Sequence, residues 1–187
     1  MNIWRTQVIR LIIFGGIAAS LFAVQTAPPA FELPLLITSA GQSADVSIAS
    51  MLAKKAELTA TLSKLATGKD LENHKTLVLV LGASMKGLGS AGLDVDKEYE
   101  RVRSLLAEAK KKNIPVLCLH LAGEQRRGEI TDKMLVEFLP SAKMVIVVKS
   151  GNKDGLFTKV CGEKNIPLVE IEKTIDAVER LKSLFKK

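Results

Sequence analysis

The stretch "TLVLVLGASMKGLGSAGLDVDKEYERVRSLLAEAKKKNIPVLCLHLA", Thr76 to Ala122, decides the fold. Its two ends, 76–82 and 115–122, are continuous apolar runs of strand length, without the alternation of a half-exposed strand. Such runs belong to parallel strands covered on both faces by helices. Between them Tyr99, Val102, Leu105, Leu106 and Ala109 recur at helical spacing, with lysines and glutamates opposite. That pattern predicts an amphipathic helix over Lys97–Lys112. A strand, a helix and a second strand in this order make a right-handed crossover between parallel neighbours.

The same unit repeats outward in both directions. "LPLLITS" (33–39), "KMVIVVK" (143–149) and "PLVEI" (167–171) read as further buried strands, and helices are expected over Ala44–Ala56, Thr131–Phe138, Gly155–Lys164 and Ile175–Leu184. "KKKNIPV" and "EKNIPLV" use one device twice: a helix ends near Asn, and Ile-Pro opens the next strand. Glu57–Lys75 leaves two readings open: "LTATL" (58–62) forms a short edge strand beside the first, giving six strands, or lies outside the sheet, giving five. The expectation is therefore an α/β chain: a doubly wound, mostly parallel sheet of five or six strands in a flavodoxin-like or Rossmann-like three-layer sandwich. The strands at 33–39 and 76–82 would flank the topological switch point, where ligands bind at carboxyl strand ends.

With 187 residues the chain suits one core, and the single α/β domain is expected over 33–187. Before it, "MNIWRTQVIR" carries two arginines and no acid, and Leu11–Val24 is an apolar run of secretory length. That run is short of the about 20 residues a spanning helix needs. Residues 1–27 are read as a signal peptide, or as an uncleaved anchor because Gln25 is unusual at the cleavage position, and 28–32 as a linker. No Leu-x-x-Cys pattern ends the run, which argues against lipid anchoring through cysteine. The chain is expected to be exported, to a bacterial periplasm or cell surface, with membrane contact only through the N-terminal segment if it stays.

The formal charge is +7, or +5 without Arg5 and Arg10 (25 bases against 20 acids). No basic stripe interleaves with aromatic residues, so nucleic-acid binding is not expected. A moderate positive excess favours small anions. Cys118, in an apolar strand, and Cys161, on an apolar helix face, read as buried free thiols, although export would permit a bridge. Two cysteines and two histidines at these spacings make no metal motif, and no cofactor is implied.

Loops at the carboxyl strand ends hold most of the internal glycines and polar groups: "SAGQSAD" (39–45), "GASMKGLGSAGLDVD" (82–96), "HLAGEQRRGEITD" (120–132) and "KSGNKDG" (149–155). Candidate ligand contacts are Ser39, Gly41, Gln42 and Ser43 in the first loop, where Ser43 stands at a helix N-cap position whose N–H groups suit an oxyanion. Ser84, Lys86, Gly87 and Gly89 follow in the second. His120 and Arg126 come from the third, since adjacent arginines project apart and one of the pair can face an anion. Lys149, Ser150, Gly151 and Asn152 complete the set, while Asp154 reads as a helix cap. No catalytic residue is assigned.

Gly87, Gly89 and Gly92 spell G-x-G-x-x-G, yet the first lies five residues past the strand-closing Gly82. No helix is expected before Asp94 or Asp96, and no acid closes the following strand, so a dinucleotide site is not expected. A nucleophile elbow needs glycine where Lys86 stands.

"LLITSAGQS", "GASMKGLGSAGLDVDKE", "AGEQRRGEITD" and "VVKSGNKDGLFTK" together resemble the loop blocks of a family of exported bacterial proteins of unknown function, over about residues 33 to 184. The resemblance implies an export signal and one α/β domain, and carries no activity. The functional expectation is an exported module that binds a small anionic metabolite at the carboxyl strand ends. The alternatives are an exported hydrolase or transferase using Ser84 or Ser39 with His120, and a non-catalytic subunit of a membrane complex.

Overall fold

The computed structural model describes residues 31–185; the signal or anchor assigned to residues 1–27 lies outside them. Six strands, β1 (Leu35–Ala40), β2 (Ala60–Leu62), β3 (Thr76–Leu81), β4 (Val116–His120), β5 (Met144–Val148) and β6 (Leu168–Ile171), form one sheet in the order β2-β1-β3-β4-β5-β6. Every pairing is parallel. The helices are α1 (Asp45–Lys55), α2 (Met85–Ser90), α3 (Val95–Lys111), α4 (Glu129–Phe138), α5 (Leu156–Lys164) and α6 (Ala177–Leu184). Each predicted strand and each predicted helix is present, and the edge strand read from "LTATL" is β2.

The continuous apolar runs exist because both strand faces are covered. Leu77, Leu79 and Leu81 of β3 point into the core under α3, α4 and α5. Val78 and Val80 of the same strand join the core under α1 and α6. Burying one such side chain contributes about 1.5–3 kcal/mol, which the two cores repeat along four fully buried strands. β2 is exposed throughout and has three residues, so the sheet's outer edge is short.

The Asn-Ile-Pro device works as read. Asn113 and Asn165 adopt left-handed φ (55° and 54°), and the next N–H returns to the helix, Ile114 to the Ala109 carbonyl at 2.8 Å and Ile166 to that of Cys161 at 2.9 Å. Phe31 and Glu32, placed in the linker by the sequence reading, already pack on the domain. The Phe31 N–H reaches the Leu184 carbonyl, its ring lies 5.7 Å from that of Phe185, and the Glu32 N–H donates to Thr76 Oγ1. Cys118 and Cys161 are free and buried in one core; burial pushes both thiols up, Cys161 to about 11. Among the described residues no helix is long and apolar enough to cross a membrane, and no group of three His, Cys, Asp or Glu could hold a metal ion.

One expectation fails in the loop after β3. The short helix α2 starts at Met85, ahead of Asp94, because the Ser84 hydroxyl accepts from the Gly87 N–H at 3.1 Å and caps it. Gly87 and Gly89 thus lie inside a helix. Asp94 then caps α3, accepting from the Lys97 N–H at 2.8 Å.

Candidate functional site

Strand order reverses between β1 and β3, and the loops that follow them meet there. Ser84 N–H donates to the Gly41 carbonyl at 2.8 Å, and Gln42 bridges Ala83 in antiparallel fashion. Gly41, at φ 104°, lies against the Gly82 carbonyl, where an added Cβ would fall 2.6 Å from the oxygen. A Cβ on Gly87 would fall 1.9 Å from the Gln42 carbonyl oxygen. Gly41 and Gly87, one from each loop, allow this loop-on-loop packing.

Beneath the contact lies an ion pair whose acid, Glu98, belongs to the glutamates read as lying opposite the apolar face of α3. Glu98 is wholly buried and accepts from the Gly41 N–H at 2.8 Å, from Gln42 Nε2 at 3.0 Å and from Arg101. Arg101 also donates to the carbonyls of Ser39 and Ala66. The signal was present: Glu98 precedes Val102 by four residues and Leu105 by seven, so it continues the apolar stripe. A carboxylate on a buried stripe needs a fixed partner, and Arg101, one turn on, provides it.

The first loop's donors are consequently engaged by the chain's own carboxylates. Gly41 and Gln42 serve Glu98. Ser43 is not the N-cap of α1; that position is Ala44, and the Ser43 hydroxyl donates to Asp45 Oδ2 at 3.0 Å. Asp45, buried in the first turn of α1, sets its own negative charge at the positive helix end, with Arg126 Nε 3.7 Å away. Ser39 is wholly buried, and its Oγ has no partner in the structure.

An opening remains at this switch point, a cavity of about 550 Å³. Gln42, Ser43, Lys64, Ser84, Lys86 and Arg126 are among its lining residues, and no lining residue is acidic. Of the predicted contacts, Gln42, Ser43, Ser84, Lys86, Gly87 and Arg126 converge here; Lys64, from the loop after β2, was not anticipated. Neither Lys64 nor Lys86 takes part in an ion pair among the described residues. Gly89 stands in α2, where a Cβ would meet nothing within 4 Å.

The remaining predicted contacts gather after β4 and β5, in a separate knot. His120 is wholly buried, with Nδ1 2.9 Å from the Leu81 carbonyl and Nε2 2.9 Å from that of Gly123. Burial lowers its pKa below the usual histidine value, against the pull of those two carbonyls. Neither Ser39 nor Ser84 hydrogen-bonds to it among the described residues, so general-base work would require a ring nitrogen to leave a carbonyl. Gly151 packs on the imidazole, and Ser150 on Gly123. Asn152 accepts from the Phe157 N–H in the first turn of α5, whose N-cap is Gly155, at 2.9 Å, and donates to Glu170 and Thr158. Lys149 pairs with Glu172 at 2.9 Å on the surface. Arg127 turns away from Arg126, as adjacent arginines were expected to diverge, and binds Asp132 at 2.6 Å and Asp154 at 2.7 Å. Those partners raise the Arg127 pKa, and Arg127 holds Asp154 down to about 2.

The model of a domain of unknown function, DUF6305, matches residues 32–185, and the chain belongs to that family. No curated protein matches it. Among solved structures it is similar to a G-D-S-L family protein from Desulfitobacterium hafniense DCB-2, with 10% identity, TM-score 0.36, and coverage of 82% of this chain and 97% of that one. It is also similar to a GDSL-like lipase from Bacteroides thetaiotaomicron VPI-5482, with 13% identity, TM-score 0.34, and coverage of 77% and 71%.

Proposed function

We propose that this member of the DUF6305 family is an exported module that binds a small anionic ligand in the switch-point cavity. One observation carries the reading: Lys64, Lys86 and Arg126 line a cavity without an acidic side chain, in the crevice where doubly wound folds take ligands. Lys64 and Lys86 bring unpaired ammonium groups. The Ser84 hydroxyl spends a lone pair on the Gly87 N–H and keeps its own proton to donate. Arginine and lysine together suit a carboxylate or phosphate. The Glu98–Arg101 pair and the engaged donors of the first loop hold the walls in place, and burial of those donors leaves the side-chain cations as the contacts. The first ten residues and the apolar run after them support export.

The test is a thermal-shift screen of carboxylates and phosphorylated metabolites on the purified chain. A ligand at 100 times its Kd stabilises by about 2.7 kcal/mol, a shift of several degrees. The wild type should respond, and Lys86→Ala and Arg126→Ala should respond much less. A panel with no response, or variants that respond as the wild type does, would remove the reading. Intact mass of the chain recovered outside the cytoplasm should show loss of the N-terminal segment; an unprocessed chain inside the cell would remove export.

A further inference from the structure

Helices α3 and α4 lie on one face of the sheet, where Val102 and Leu105 of one and Met134 and Leu135 of the other share a core. As crossovers of a parallel sheet they run the same way, each carrying acids in its first turn. Asp96, Glu100 and Glu129 mark one end of this face, and Lys110, Lys112 and Lys143 the other. Acid at the amino end and base at the carboxyl end complement the α3 dipole; α4 carries acids in its first turn and no base in its last, and Lys143, beyond its end, supplies the positive charge there. Side by side, the two helices make a face with ends of opposite sign.

A trough follows the face. Its upper part, about 1090 Å³, is lined by six acidic and three basic side chains, and its lower part, about 550 Å³, by Arg103, Lys110 and Lys143 against Glu137. The parts share Arg103 and Glu137, so they join end to end along a helix about 25 Å long. Val136, in the lining of the upper part, is 52% exposed. Asp96, Glu100, Lys110 and Lys143 take no part in the ion pairs of the described residues.

We propose that a second copy of this chain docks on this face through a two-fold axis, with α3 and α4 antiparallel to their counterparts. A half-turn brings each acidic end onto the other copy's basic end, and does so twice. It also brings the exposed Val136 of each copy onto the facing trough of the other. A face that answers itself in charge and shape under a half-turn is what an isologous dimer requires.

Sedimentation velocity on the purified chain at low salt should show a dimer that dissociates as salt rises. Asp96→Lys/Glu100→Lys and Lys110→Glu/Lys143→Glu should each weaken self-association by at least about tenfold, since like charges then meet. A mixture of the two variants should recover the dimer, because opposite ends meet again in the mixed pair. A monomeric wild type would overturn the proposal, as would variants that dimerise undiminished. So would a mixture that stays monomeric while each variant keeps the wild-type Tm. None of these four residues lines the switch-point cavity, so anion binding by the variants is expected to match the wild type.

Discussion

Two halves of the same sheet edge carry similar loops and use them differently. After β4 and β5 the polar groups other than Arg126 are engaged: Arg127 on two aspartates, Asn152 on the first turn of α5, His120 between two carbonyls, Lys149 on Glu172. After β1 the Gly41 N–H and the Gln42 side chain are spent on Glu98, while Lys64, after β2, and Lys86, after β3, face a cavity and take part in no ion pair among the described residues. A polar loop at a carboxyl strand end is thus a shared signal for two outcomes. What separates them is whether the chain supplies the complementary charge itself.

The contrast can be broken or sharpened by mutation. The largest effect is expected at Glu98→Ala, which strips Gly41 and Gln42 of their acceptor and leaves Arg101 facing a buried gap. Removing one partner of a buried ion pair costs about 3–5 kcal/mol, readable by urea denaturation. A loss below ~1 kcal/mol would show that the switch-point loops hold without it. Gly87→Ala comes next: its Cβ must displace the Gln42 carbonyl, and overpacking of this kind costs about 1–3 kcal/mol. Nicking of loop 39–44 by protease should rise with it, and an unchanged variant would contradict the close contact.

Arg127→Ala should cost about 1–2 kcal/mol, because the arginine is mostly buried while its partners are partly exposed. It also carries a pH signature. Asp154 is held at about 2 against an ordinary 3.8, so the pair contributes fully above about pH 4 and its stabilisation is lost as pH falls toward 2. The wild type should lose stability across that window more steeply than Arg127→Ala; parallel curves would deny the ion pair its role. The smallest stability effects pair the two halves directly. Lys86→Ala and Lys149→Ala should each change unfolding by less than about 0.5 kcal/mol. Only Lys86→Ala should weaken anion binding, and an equal loss for Lys149→Ala would merge the two regions again.

The sheet was legible because fully covered parallel strands write unbroken apolar runs, and the turns between them repeat Asn-Ile-Pro. Even β2, three exposed residues, could be placed from "LTATL" beside a stronger neighbour. Helix α2 was not legible: Gly87 and Gly89 carry no periodicity, and a Ser84 cap is visible only once Gly87 is known to follow it in a turn. The cavity was half legible. Lys86 and Arg126 fell on the correct edge, whereas Lys64 came from a stretch without anchors. The engagement of Gly41 and Gln42 by Glu98 spans more than 50 residues, and local patterning does not encode such a partnership. Lys149 and Asn152 were grouped with the cavity because strand-end position ignores lateral distance across the sheet; β4 stands between their strand, β5, and β3.

The contact of Phe31 with Leu184 and Phe185 has a bearing on how the molecule can be held. The described chain starts and stops at one spot, at the amino ends of the strands, while the cavity opens at the carboxyl ends. Phe31 thus leaves the domain at the end of the sheet opposite the lysine-lined mouth. A reporter fused at either end would share that berth. Chain connections to the domain and access to its cavity are thus kept at opposite ends of the strands.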